Sequence, residues 1–148
     1  MENVLAAGTT VIVGLLVGVE FAVAVFLNAI FGRLPGDAGL RGRIEGARIL
    51  GFVMPFWYIG SVVLGSVVTW QSRGDGGTGA FGTATALLAL SVLMSVTLLV
   101  PINSRVKRWT SESVPADWHR QLGRWDRFHY LRVAVLVAAF ALLVAGIA

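Results

Sequence analysis

The sequence predicts an all-α integral membrane protein: one domain, residues 1–148, folded as a bundle of four transmembrane helices with an interfacial helix leading into the fourth. Three observations carry this. Hydrophobic residues make up 56% of the chain and charged residues 14%, with a mean hydropathy of +0.77. Soluble domains run at about 45–50% and about 25%. The apolar residues fall into four blocks, at about 4–31, 49–70, 80–101 and 129–148, each long enough for a bilayer core of about 30 Å. Ten of the twelve basic residues lie in the first and third connections between blocks.

The first block, Val4 to Phe31, is 28 residues and roughly 42 Å long as a helix, so it should tilt or protrude. It follows Met-Glu with no basic residue and exceeds a signal-peptide core, so it reads as a retained span. The stretch Gly32–Arg48 is rich in Gly and Arg, and Pro35 and Asp37 predict a turn before a short, weakly helical approach. The second block, Ile49–Trp70, contains Pro55, which frees the carbonyl of Gly51 and kinks the helix. Gln71–Gly79 (QSRGDGGTG) is a short turn, and the third block, Ala80–Pro101, is a plain apolar span.

The connection Ile102–Phe128 is 27 residues long. Ser113 and Pro115 resemble a helix start there, and a helical period runs on into His129–Ala148. An interfacial helix, bent at Gly123, is expected to feed the fourth span. No internal repeat and no soluble domain are present.

The placement of charge sets the topology. Arg33, Arg41, Arg43 and Arg48 lie in the first connection, and Arg105, Lys107, Arg108, Arg120, Arg124 and Arg127 in the third. This positive-inside pattern puts both connections in the cytoplasm of a cell-membrane protein and both termini outside. The pI of 10.7 therefore reflects membrane topology and anionic headgroups, with the lipid bilayer as partner and no nucleic acid. The absence of cysteine excludes disulfide and thiolate chemistry.

Two charges break the apolar blocks. Glu20 lies near the middle of the first, where a carboxylate is expensive, faces the bundle interior and marks a site. Its helical face is extended by Ala24 and, roughly, Asn28. Arg132, a few residues inside the fourth block, is its natural partner, with snorkelling to the interface as the alternative. Trp118, Trp125 and Arg132 are spaced by seven, and His129 stands three before Arg132, so these form one helical stripe. His119 and His129 are about 15 Å and about 80° apart on one helix and cannot share a metal. A metal at His129 with Glu20 remains open. Asn28 and Asn103 are candidate caps, and both are expected at the end of the bundle where Pro55, Trp57, His129 and Arg132 converge. Polar groups at one end of an apolar bundle describe a pocket for an amphipathic small molecule, with Trp57, Tyr58, Trp125 and Asn28 as substrate-binding residues. The stripe Gly14–Gly18 (GLLVG) suits close packing, within one bundle or at a homo-oligomer seam.

The segments FLNAIFGRLP, MPFW, VPINSRVKRW and RWDRFHYLR, spread over nearly the whole chain, resemble the anthrone-oxygenase-like family of small four-span membrane proteins, which includes oxygenases of aromatic polyketide pathways. The resemblance points to Asn103, Trp125, His129 and Arg132, and with them Glu20. It implies natural product biosynthesis and an oxidoreductase that oxygenates a hydrophobic, aromatic molecule with molecular oxygen. Glu20 or His129 would then act as base, and Arg132 would stabilise the oxyanion, with Asn103 in the catalytic set. No dinucleotide-binding glycine pattern is present, so no flavin or nicotinamide domain is encoded. The cofactor is left as none, one metal ion or haem. Two other readings stand beside this one. A proton-coupled multidrug-type exporter would use Glu20, with Trp57 and Tyr58 stacking on a cation. A non-enzymatic subunit would carry haem or metal on His129.

Overall fold

The computed structural model describes residues 2–148. Every regular element among them is helical. Four helices are long and apolar enough to cross a membrane: Val4–Arg33, Ala38–Gln71, Thr78–Val106 and Trp118–Ile147. The chain is an integral membrane protein built as a four-helix bundle. No cis peptide bond interrupts the described residues.

The first helix carries one π-helical turn, Val23–Leu27, and ends at Arg33. The turn that follows contains Gly36 at φ 61°, a conformation costly for any residue with a Cβ. Asp37 closes it. Its carboxylate accepts hydrogen bonds from Arg41 at 2.8 Å and from the hydroxyl of Ser111 at 3.1 Å. The Arg41 guanidinium, and after it the Ser111 hydroxyl, hold the Asp37 carboxyl below the usual carboxylate range. The Ser111 bond also places the first and third connections at the same end of the bundle.

The second helix is where sequence and structure differ most. The weakly helical approach expected before residue 49 is instead continuous helix from Ala38, 34 residues in all. Leu40, Ile44 and Ala47 recur at helical spacing and meet Ile102, Val106, Trp109 and Leu122, a satellite core beneath the main one. That burial holds the Gly- and Arg-rich segment in helix. On the opposite face Ile49, Phe52, Phe56, Ile59 and Val63 are all exposed. Such a stripe would be an aggregation hazard in water and is an ordinary lipid-facing surface in a bilayer.

The third helix also runs past its expected end at Pro101, to Val106. A π-helical turn, Ser95–Leu99, explains this. Pro101 falls in the first turn of the helical segment that resumes after it, where the missing N–H is not needed. The fourth helix starts at Trp118, with Asp117 before it, and is continuous through Gly123 to Ile147. The expected interfacial helix is therefore not a separate element; it forms the opening turns of the fourth span. Leu122, buried in the satellite core, fixes that direction. The Asp117 carboxylate accepts from Gln121 and Arg120, each at 2.9 Å, and both interactions hold it below its usual range, Gln121 most.

The main core joins all four helices through Val13, Leu16, Tyr58, Leu88, Leu136 and Leu143. Of the GLLVG stripe, Gly14 receives the Phe140 ring of the fourth helix. A Cβ built on Gly14 would stand 2.9 Å from that ring, whereas one on Gly18 would meet nothing within 4 Å. Gly14 thus serves packing inside one bundle.

Candidate functional site

Glu20, Arg132 and His129 come together in the middle of the bundle, at 3%, 7% and 1% exposure. Charges so deep persist only when paired and hydrogen-bonded. Arg132 Nη2 donates to Glu20 Oε2 at 2.6 Å and to His129 Nδ1 at 3.0 Å. Arg132 Nη1 donates to the Ser95 hydroxyl at 2.8 Å. The other carboxylate oxygen, Oε1, accepts from the Tyr58 hydroxyl at 3.0 Å. His129 Nε2 lies 3.1 Å from the main-chain oxygen of Glu20 and donates to it, which leaves Nδ1 as the acceptor. Nδ1 is 3.3 Å from Glu20 Oε2, so a proton arriving on Nδ1 would meet the carboxylate at once. Arg132 Nε is buried with no protein partner.

Each helix places one part. The π turn of the third helix starts at Ser95, whose hydroxyl also donates to the Ser91 carbonyl at 2.7 Å. The π turn of the first helix follows Glu20 and presents the Ala24 carbonyl to the Tyr130 hydroxyl at 2.7 Å. Trp125, one turn before His129, stacks on its ring at 4.5 Å between centroids and 17° between planes. The Arg132 guanidinium lies 5.1 Å from the Tyr58 ring centre.

The cluster forms one wall of a cavity of about 330 Å³ lined by all four helices. Between its polar ends the walls are apolar, with Val23, Leu50, Met54 and Leu99 among them. Pro55, Ile59, Val96 and Val100 line it as well, and all four are exposed on the outer surface, so the cavity reaches the lipid face between the second and third helices. At its other end stand Asn28, Arg43, Asn103 and Lys107. Asn28 and Arg43 both donate to Asp126 Oδ1, at 3.0 and 2.8 Å, and clamp the first, second and fourth helices together. Asn103 donates to the Ala47 carbonyl at 3.3 Å.

The residues singled out in the sequence thus divide three ways. Glu20, His129, Arg132, Tyr58 and Trp125 sit together at the buried cluster. Asn28 and Asn103 line the same cavity at its other end, Asn103 two helical turns beyond Ser95. Trp57 does not line it: its indole N–H donates to the Ile12 carbonyl at 3.2 Å, against the first helix. Trp118 packs on the satellite core, and His119 is exposed and stacks on Trp118. Ser95 and Asp126 were missed. The Ser91–Ser95 pair, one turn apart in an otherwise apolar block, was the available signal for Ser95.

Among the described residues no group of three or more His, Cys, Asp and Glu side chains stands close enough to hold a metal ion. The position between Glu20 and His129 that a cation would take is filled by the Arg132 guanidinium. Both His129 nitrogens are engaged, so neither a metal nor a haem iron fits this arrangement without moving Arg132.

A family model described as anthrone oxygenase matches residues 47–142, about two thirds of the chain. The match contains Tyr58, Ser95, Asn103, Trp125, His129 and Arg132; Glu20 and Asn28 lie before it. Comparisons with curated proteins and with solved structures found no match.

Proposed function

The chain belongs to the anthrone oxygenase family, and on that premise we propose that it oxygenates a hydrophobic aromatic molecule of natural product biosynthesis with molecular oxygen. The observation that carries this reading is the Glu20–Arg132–His129 cluster forming one wall of an apolar cavity. In the proposed reaction an acidic ring CH₂ loses a proton to the Glu20 carboxylate, which keeps free lone pairs beside the bonds it accepts from Tyr58 and Arg132, with His129 holding Arg132 in place. The ring oxygen gains the negative charge and is met by the Arg132 guanidinium, whose Nε–H has no other partner. The substrate anion then passes its electrons to O₂ as the C–O bond forms. The second hydrogen leaves as a proton when the O–O bond breaks, giving C=O and water. The base and the oxyanion donor are the chain's own, and no step passes through a metal or haem.

The exporter reading is less well supported, because a cationic drug reaching Glu20 would have to displace an arginine 2.6 Å away. For topology, the basic first and third connections are proposed to face the cytoplasm, which puts the Asn103 end of the cavity on that side. The test is oxygen uptake by the purified protein supplied with an anthrone. The expected result is one O₂ consumed per ketone formed, with loss of activity in the Glu20→Gln, His129→Ala double variant. Uptake by that variant equal to wild type would end the oxygenase reading.

A further inference from the structure

Three cations line the cavity: Arg132, Arg43 and Lys107. Arg132 is paired with Glu20 and Arg43 with Asp126. Lys107 has no acidic partner among the described residues. Its backbone is nevertheless fixed. Its N–H bonds to the Asn103 carbonyl at 3.0 Å, and its own carbonyl accepts from Arg48 Nε at 3.1 Å. The side chain lies across bare backbone of the second helix at Gly51, where a Cβ would come within 2.5 Å of Lys107 Cε, 2.7 Å of Lys107 Nζ and 2.7 Å of Asn103 Nδ2. A glycine here lets an ammonium and an amide lie side by side at the cavity end. Seven residues separate Gly51 from Tyr58, which bonds Glu20, so the two polar ends stand about 10 Å apart along the helix. An apolar slot of that length separates them.

We propose that Lys107, assisted by Asn103, binds an acidic oxygen, a carboxylate or ionised phenol, on the end of the substrate remote from the ring carbon that reacts. An unpaired positive charge facing an apolar cavity selects a ligand that brings the missing negative charge, and an ammonium–carboxylate contact is stronger than a neutral hydrogen bond. Substrates for this chain are therefore flat, fused-ring acids, held by Lys107 at one end and presented to Glu20 and Arg132 at the other. The assignment rests on the oxygenase reading for the identity of the ligand as substrate.

The experiment is equilibrium fluorescence titration in phosphatidylcholine nanodiscs, with an anthracene carboxylate and the matching neutral anthracene methanol as probes. Neither has a reactive CH₂ in its ring system, so binding is read without turnover. Wild type should hold the carboxylate about tenfold tighter than the alcohol. Lys107→Gln should abolish that preference, and Lys107→Arg should retain it, which controls for folding. The proposal is overturned if wild type shows no preference, including the case where neither probe binds. It is equally overturned if Lys107→Gln leaves the preference unchanged. A preference that vanishes in phosphatidylglycerol nanodiscs would assign Lys107 to lipid headgroups instead. Carboxylate preference in a protein that consumes no oxygen would retire the oxygenase reading and leave this site standing.

Discussion

Removing the Arg132 guanidinium while Glu20 stays should cost more than removing both charges. Arg132→Met leaves a carboxylate of 3% exposure with only Tyr58 as donor, and Glu20→Gln leaves a guanidinium facing Ser95 and His129. Breaking one side of a buried pair costs about 3–5 kcal/mol, whereas replacing both partners with neutral groups is close to neutral. A chain of this size loses about 2–4 °C in Tm per kcal/mol. Each single variant should therefore melt about 6–20 °C below wild type in detergent, and the Glu20→Gln, Arg132→Met double variant should recover most of the loss. The assay is a thermal double-mutant cycle, in which the 2.6 Å contact predicts strong coupling. Additive losses, with the double variant as low as the two singles combined, would refute the view that these charges are held in the bundle by each other.

Two further predictions concern the frame of the bundle. Gly14→Val drives a branched side chain into Phe140 and should lower stability by about 1–3 kcal/mol, while Gly18→Val, with open space around it, should not; thermal melts of the pair cancel the shared gain in helix propensity. Asp117 is held below the usual carboxylate range by Gln121 and then Arg120, so its support of the fourth helix start is complete above the unfolded value of about 3.9 and is lost as pH falls through the lower folded value. The Gln121 side-chain NMR signal should titrate with a midpoint below about 3.9, and a midpoint at or above that value would show the contact to be absent in solution.

Much of the fold was legible because a bilayer constrains sequence so strongly. Four apolar blocks and two lopsided basic connections leave few alternatives to a four-span bundle. Glu20 and Arg132 were legible for a related reason, since a buried charge must find its opposite, and the first and fourth blocks carry one charge each, of opposite sign, while the second and third carry none. What stayed hidden depends on phase rather than composition. Nothing in the chain marks that the Trp57 indole turns to Ile12 while neighbouring Tyr58 turns to Glu20; the helix rotation that decides this comes from packing. The continuity of the second helix before residue 49 was hidden because the cluster that buries Ile44 draws Ile102, Val106, Trp109 and Leu122 from far along the chain. Asp126 stands among basic residues in the third connection, and only the folded bundle makes it the acceptor shared by Asn28 and Arg43.

The two π turns act on this phase directly. Eight residues of regular α-helix rotate through about 800°, leaving the side chains at their ends about 80° apart. A π turn absorbs about one residue's worth of that rotation. Glu20 and Asn28 are eight apart with Val23–Leu27 between them, and Ser95 and Asn103 are eight apart across Ser95–Leu99. In both helices the inserted residue turns the far asparagine back onto the face that carries the buried polar group, so one wall of the cavity serves both ends. Residue count between these positions is therefore a functional quantity. Deleting one residue from either π turn would leave hydropathy and span length almost untouched, yet would swing half the cavity's polar lining about 100° towards lipid or core.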